Sequence, residues 1–104
     1  MIVPSGVLKQ AEIAAEVEAV HQRLGKDVVK INYDFGPDWS GDWAIFFRVL
    51  LSNRVGRGDK LHEVSKLVES LLFERIPFFE LGLLPYFNYR TTSEQGRLRE
   101  AGWD

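Results

Sequence analysis

Hydrophobic and polar positions alternate with a period of two early in the chain. Val29, Ile31, Tyr33 and Phe35 fall on one side, and Lys30, Asn32 and Asp34 on the other. That is the pattern of a half-buried strand. A second run puts Trp43, Ile45, Phe47, Val49 and Leu51 on one face, while Ala44, Phe46 and Leu50 surround a single Arg48 on the other. Between them lies GPDWSGD, dense in turn-forming residues, so 27–52 is predicted as a β-hairpin. A strand apolar on both faces is either central and covered twice, or it shows its second face to a partner.

Helical spacing brackets the hairpin. Ile13, Val17, Val20 and Leu24 recur every three to four residues, with Ala11 and Ala14 beside them, and predict a helix from Ser5 to Leu24. Ser5 is its expected N-cap and Gly25 its expected terminator. Leu61, Val64, Leu67, Val68, Leu71 and Leu72 predict a second helix over 60–75, capped by Asp59 and stopped before Pro77. Phe87 and Tyr89 alternate with Asn88 and Arg90 in a third strand over 86–91, and 96–104 reads as a loose tail in which Trp103 could dock.

The resulting order, α-β-β-α-β, implies an α+β two-layer sandwich in one domain spanning 1–104. A helical crossover makes the second and third strands parallel, which gives a three-stranded mixed sheet with two helices on one face. Strand order 1-2-3 is favoured over 3-1-2 because the second strand has the most apolar faces. Phe46, Arg48, Leu50, Phe87 and Tyr89 are then the expected residues of an interaction surface on the uncovered face.

Composition narrows the class without naming a function. The 104 residues are 45% hydrophobic and 27% charged, values of a folded globular domain. The N-terminus lacks the basic and apolar regions of a secretory signal, and no apolar run reaches membrane-spanning length, so a cytoplasmic chain without a membrane role is expected. With no cysteine there is no disulfide and no thiolate chemistry. A net charge of −2 argues against holding duplex nucleic acid by charge alone.

Candidate chemistry is sparse. GPDWSGD spaces its glycines like a phosphate-binding loop, but Asp42 stands where the lysine is needed. Asp34, Asp38 and Asp42 are weak candidates for a hard cation and for metal-dependent phosphate chemistry. The competing reading makes Asp38 and Asp42 turn formers and pairs Asp34 with Arg48 across the strands. His62 and Glu63 lack the second histidine of a zinc-protease helix, and His21 borders an apolar stripe as a packing residue. Arg54, Arg57, Lys60 and Arg90 could bind an anion or nucleic acid at the turn over 54–60, against which Asp59 competes for the helix N-terminus. No catalytic residue and no cofactor is implied, and an enzyme is the least favoured class.

The blocks DFGPDWSGDWAIFFRVLLS and LPYFNYRTTSEQ resemble a family of small uncharacterised bacterial proteins encoded beside HEPN-type helical proteins, in pairs like a toxin and its antitoxin. That resemblance implies an antitoxin-like partner of a co-encoded protein and supplies no catalytic residues. The minimal nucleotidyltransferases that also accompany HEPN proteins need a Gly-Ser pair ahead of Asp-x-Asp, and neither is present here. The expectation is a non-enzymatic protein–protein interaction module, as a homodimer or a heteromer, with nucleic-acid or anion binding as the alternative.

Overall fold

A computed structural model describes residues 5–55 and 58–104, apart from the side chains of Val7 and Leu8. The fold is α+β. Its elements are α1 (Ser5–Leu8), α2 (Gln10–Leu24), β1 (Val28–Pro37), β2 (Trp43–Leu51), α3 (Gly58–Arg75), β3 (Leu84–Thr91) and α4 (Thr92–Leu98). The sheet order is β1-β2-β3, with β2 antiparallel to β1 and parallel to β3. The most apolar strand is therefore the central one, as its two-sided pattern favours.

Alternation along the strands divides the sheet into two faces. Ile31 of β1 and Ile45, Phe47, Val49 and Leu51 of β2 join Ile13, Val17 and Val20 of α2 and Val64, Val68, Leu71 and Leu72 of α3 in one buried cluster. Burial of side chains of this size contributes about 1.5–3 kcal/mol each. Both long helices thus cover the odd-numbered face of β2. Gly25 ends α2 at φ +66°, where a side chain would be strained.

Several boundaries differ from the sequence reading. The first helix breaks at Lys9 (φ −101°, ψ 33°), because the α1 turn is drawn toward the 77–83 connection by the Gly6 N–H, which donates to Leu81 O at 3.0 Å. Ala11 and Ala14 are exposed, so the small-residue flank does not face the sheet. In β1 an irregularity between Val28 and Lys30 buries Val28 and leaves Val29 45% exposed. Asp59 lies inside the first turn of α3, not ahead of it, and can favour that helix through its dipole. Leu67 is half exposed.

The largest difference lies at the C-terminal end. Residues 96–104, expected as a loose tail, complete α4 and a short 3-10 turn over Ala101–Trp103. Thr91 and Glu94 form a reciprocal capping box that starts α4, and Asn53 Oδ1 accepts from the Ser93 N–H at 2.9 Å. The chain then turns back across the second face of the sheet. Gly102 O accepts from Arg48 Nε, and a Cβ at Gly102 would stand 3.1 Å from that nitrogen, so glycine permits the approach. The Arg90 guanidinium lies 4.4 Å from the Trp103 ring, which is 7% exposed. Among the described residues no helix is long and apolar enough to cross a membrane.

Candidate functional site

Among the described residues, one end of the second sheet face is left open. Register places Lys30, Asn32 and Asp34 of β1, Phe46, Arg48 and Leu50 of β2, and Tyr86, Asn88 and Arg90 of β3 side by side there. The returning segment covers the Leu50 end, and Leu50 is only 8% exposed. Arg48 is occupied by Asp34 and by Gly102 O. Of the interaction surface expected from sequence, Phe46 alone remains on the open part.

Phe87 and Tyr89 belong to the opposite face, a correction with a simple cause. In the parallel register Phe87 sits beside Phe47 and Tyr89 beside Val49, so both point toward the helices. Phe87 stacks on Phe47 with ring centroids 5.1 Å apart. The Tyr89 hydroxyl donates toward Glu69 Oε2 at 2.7 Å with Ser65 O also within reach, and burial pushes its pKa well above the ordinary phenol value.

The residue of β3 that does face outward beside Phe46 is Tyr86. Its ring stacks on Phe46 at 5.4 Å and meets Trp39 at 5.3 Å. Trp39 is 85% exposed at the tip of the hairpin. The loop itself is built around Asp38. Its Oδ1 accepts from the Ser40 N–H at 2.9 Å, the Ser40 hydroxyl at 2.7 Å and the Asp42 N–H at 3.0 Å. Its Oδ2 accepts from the Tyr86 hydroxyl at 2.7 Å. These bonds close the turn and leave the Trp39 ring projecting into solvent. The reading of Asp38 as a turn former holds, as does the Asp34–Arg48 pair.

Hydrogen bonds from Ser40 and then Tyr86 lower the Asp38 pKa to about 2. Its folded value lies below the unfolded one, so the stability it contributes is present above about pH 4 and is lost as pH falls toward about 2. The Asp38 carboxyl carbon should titrate near pH 2 by NMR. Ser40→Ala with Tyr86→Phe should bring its midpoint back toward the ordinary carboxylate range, and an unchanged midpoint would mean other groups hold the charge.

Against the hairpin tip lies an open cleft of about 460 Å³, lined by Asp42, Trp43, Phe79, Gly82, Leu83 and Leu84. Phe79 is 69% exposed. The tip therefore presents the Trp39–Tyr86–Phe46 ladder on one side and a Phe79-edged cleft on the other, with carboxylates between them. Such a surface is suited to contact, because exposed aromatic area is recovered only when something covers it.

The other described candidates do not form one site. Arg54 and Lys60 both pair with Asp27, at 2.8 and 3.8 Å. Arg90 lies on the second sheet face, donating to Gln95 Oε1 and to Glu100. Arg57 lies outside the described residues. His21 contacts Val28 O at 3.0 Å as a half-buried packing residue, and His62 is exposed on α3. Among the described residues no three His, Asp or Glu side chains cluster to hold a metal ion.

Sequence reasoning passed over Tyr86 and Trp39. A tryptophan inside a five-residue polar turn is the signal for Trp39, since such a loop cannot enclose an indole. For Tyr86 the signal is weaker: of the two alternating sets in LPYFNYRT, the Phe87 set is the more apolar and so belongs to the core. Compared with protein-family models, with curated proteins and with solved structures, the chain matches none.

Proposed function

We propose that this protein is a non-enzymatic protein–protein interaction module whose contact surface is the open, aromatic end of the sheet. The supporting observation is the Trp39–Tyr86–Phe46 ladder, in which Trp39 is 85% exposed while tied to a hydrogen-bonded loop. A hydrogen-bonded loop that leaves most of a large ring in water adds little packing to the fold, and aromatic anchors of this kind dominate interface energetics. A second copy of the chain would give a homodimer. The family resemblance nominates a co-encoded HEPN-type protein as the first heterologous partner to try.

Anion or nucleic-acid binding at 54–60 is less favoured, because Asp27 already engages both Arg54 and Lys60. Photo-crosslinking from a benzophenone side chain at position 39 is the direct test. A single defined protein adduct, or a self-adduct, is expected from position 39 and not from exposed position 63 on α3. Equal labelling from both positions, or none from 39, would sink the reading.

A further inference from the structure

The charge around the aromatic ladder points to the chemistry of its occupant. Segments 31–47 and 76–89, which build this pole, contain Asp34, Asp38, Asp42 and Glu80 and no Lys, Arg or His. Arg48 neutralises Asp34 from the covered half of the face. Asp38 lies against Tyr86, Asp42 lines the cleft with Phe79, and exposed Glu80 follows Phe79 in the chain. Lys9 and Arg75 belong to a separate cleft of about 130 Å³, also lined by Glu12 and Glu16, where Arg75 pairs with Glu16.

We propose that this pole docks a cationic and apolar segment of a partner protein, with an Arg or Lys side chain entering the cleft bounded by Asp42 and Phe79 and an apolar neighbour lying on the Trp39–Tyr86 rings. The inference rests on the interaction-module reading and deepens it. A guanidinium or ammonium gains from both groups that the cleft offers, an aromatic face and a carboxylate. Phosphates laid along the same rings would meet Asp38 and Asp42, so base stacking by a nucleic-acid strand is opposed by charge.

The probe is a soluble peptide of three Arg-Leu-Ser-Gly repeats, compared with its Glu-for-Arg analogue and with an oligouridylate. Amide NMR shifts of the full chain are expected on the Arg peptide alone, over 39–46 and 79–86, with affinity that falls as salt is added. Trp39→Ala and Asp42→Asn should each weaken binding about tenfold or more, while Glu63→Gln, which removes the same charge from exposed α3, should leave it unchanged. No binding, equal binding of the Glu peptide, stronger binding of oligouridylate, or an equal loss in Glu63→Gln would each overturn the assignment. Crosslinking from position 39 separates the two readings. An adduct there with no Arg-peptide binding would keep the contact surface and remove its cationic occupant.

Discussion

Truncating Phe47 to alanine is expected to cost about 3–5 kcal/mol in urea unfolding, the range for removing a fully buried aromatic side chain. Phe47 is 0% exposed at the centre of the central strand. Its ring stacks on Phe87 at 5.1 Å, meets Phe78 edge-on at 5.8 Å and touches Tyr33 at 5.9 Å. Each of those rings belongs to a different part of the chain, so the cavity left by the truncation cannot close by moving one element. Exposed Glu63→Ala should change stability by less than about 0.5 kcal/mol and serves as the reference. A Phe47→Ala loss no larger than that would place the core elsewhere.

The importance of Phe47 could be read from spacing, because it falls in the wholly apolar set Trp43, Ile45, Phe47, Val49 and Leu51, whereas the other set carries Arg48. The same patterns favoured the strand order and gave the parallel pairing of β2 with β3: a strand apolar on both faces is best placed at the centre, and a helical return makes the next strand parallel. Local pattern carries only a weak signal, the more apolar character of the Phe87 set, on which alternating set of β3 faces inward. Tyr86 and the Phe87/Tyr89 pair are all aromatic, and the choice is made by the register that sets Phe87 beside Phe47. Val29 was misplaced for a related reason. One irregular residue shifts the parity of the strand start, and nothing in VVKINYDF marks which valine is displaced.

The candidate site shows the same division between local and long-range information. The Asp38 turn and the Asp34–Arg48 pair are near in sequence and were legible. The ladder joins Trp39 of the hairpin tip to Tyr86 of β3, a contact that exists only once the sheet has formed. The covered half of the face likewise depends on contacts such as Arg48 with Gly102. Its start was written in the chain as Thr91-Thr92-Ser93-Glu94, a capping-box spacing that announces a helix. Its consequence is functional. Lysine substitutions at Phe46 and Leu50 are not equivalent probes of one surface, since Leu50 lies beneath the returning segment and Phe46 in the open ladder.

Trp103→Ala is expected to detach that returning segment and lower global stability by about 3 kcal/mol, the lower end of the range for truncating an enclosed tryptophan. The ring is 7% exposed, with the Arg90 guanidinium 4.4 Å from its centre. Gln95 Nε2 donates to Glu100 O at 2.7 Å and to Asp104 Oδ1 at 2.9 Å, so α4 and the turn over Ala101–Trp103 are fastened to each other as well as to the sheet. Removing the indole leaves these polar bonds open to water and uncovers Leu50 and the stem of Arg90. Amide hydrogen exchange should accelerate over 95–104 while β2 keeps its protection near the centre. Arg90→Lys keeps the charge but loses the planar fork that stacks on the ring while bonding Gln95 and Glu100, and should give a smaller loss of about 1 kcal/mol. Trp39, Tyr86 and Phe46 lie at the other end of the face, so the crosslinking proposed from position 39 should survive Trp103→Ala. Unchanged stability in Trp103→Ala would mean that the segment rests on the sheet without stabilising it, and would return the whole second face to the set of available surfaces.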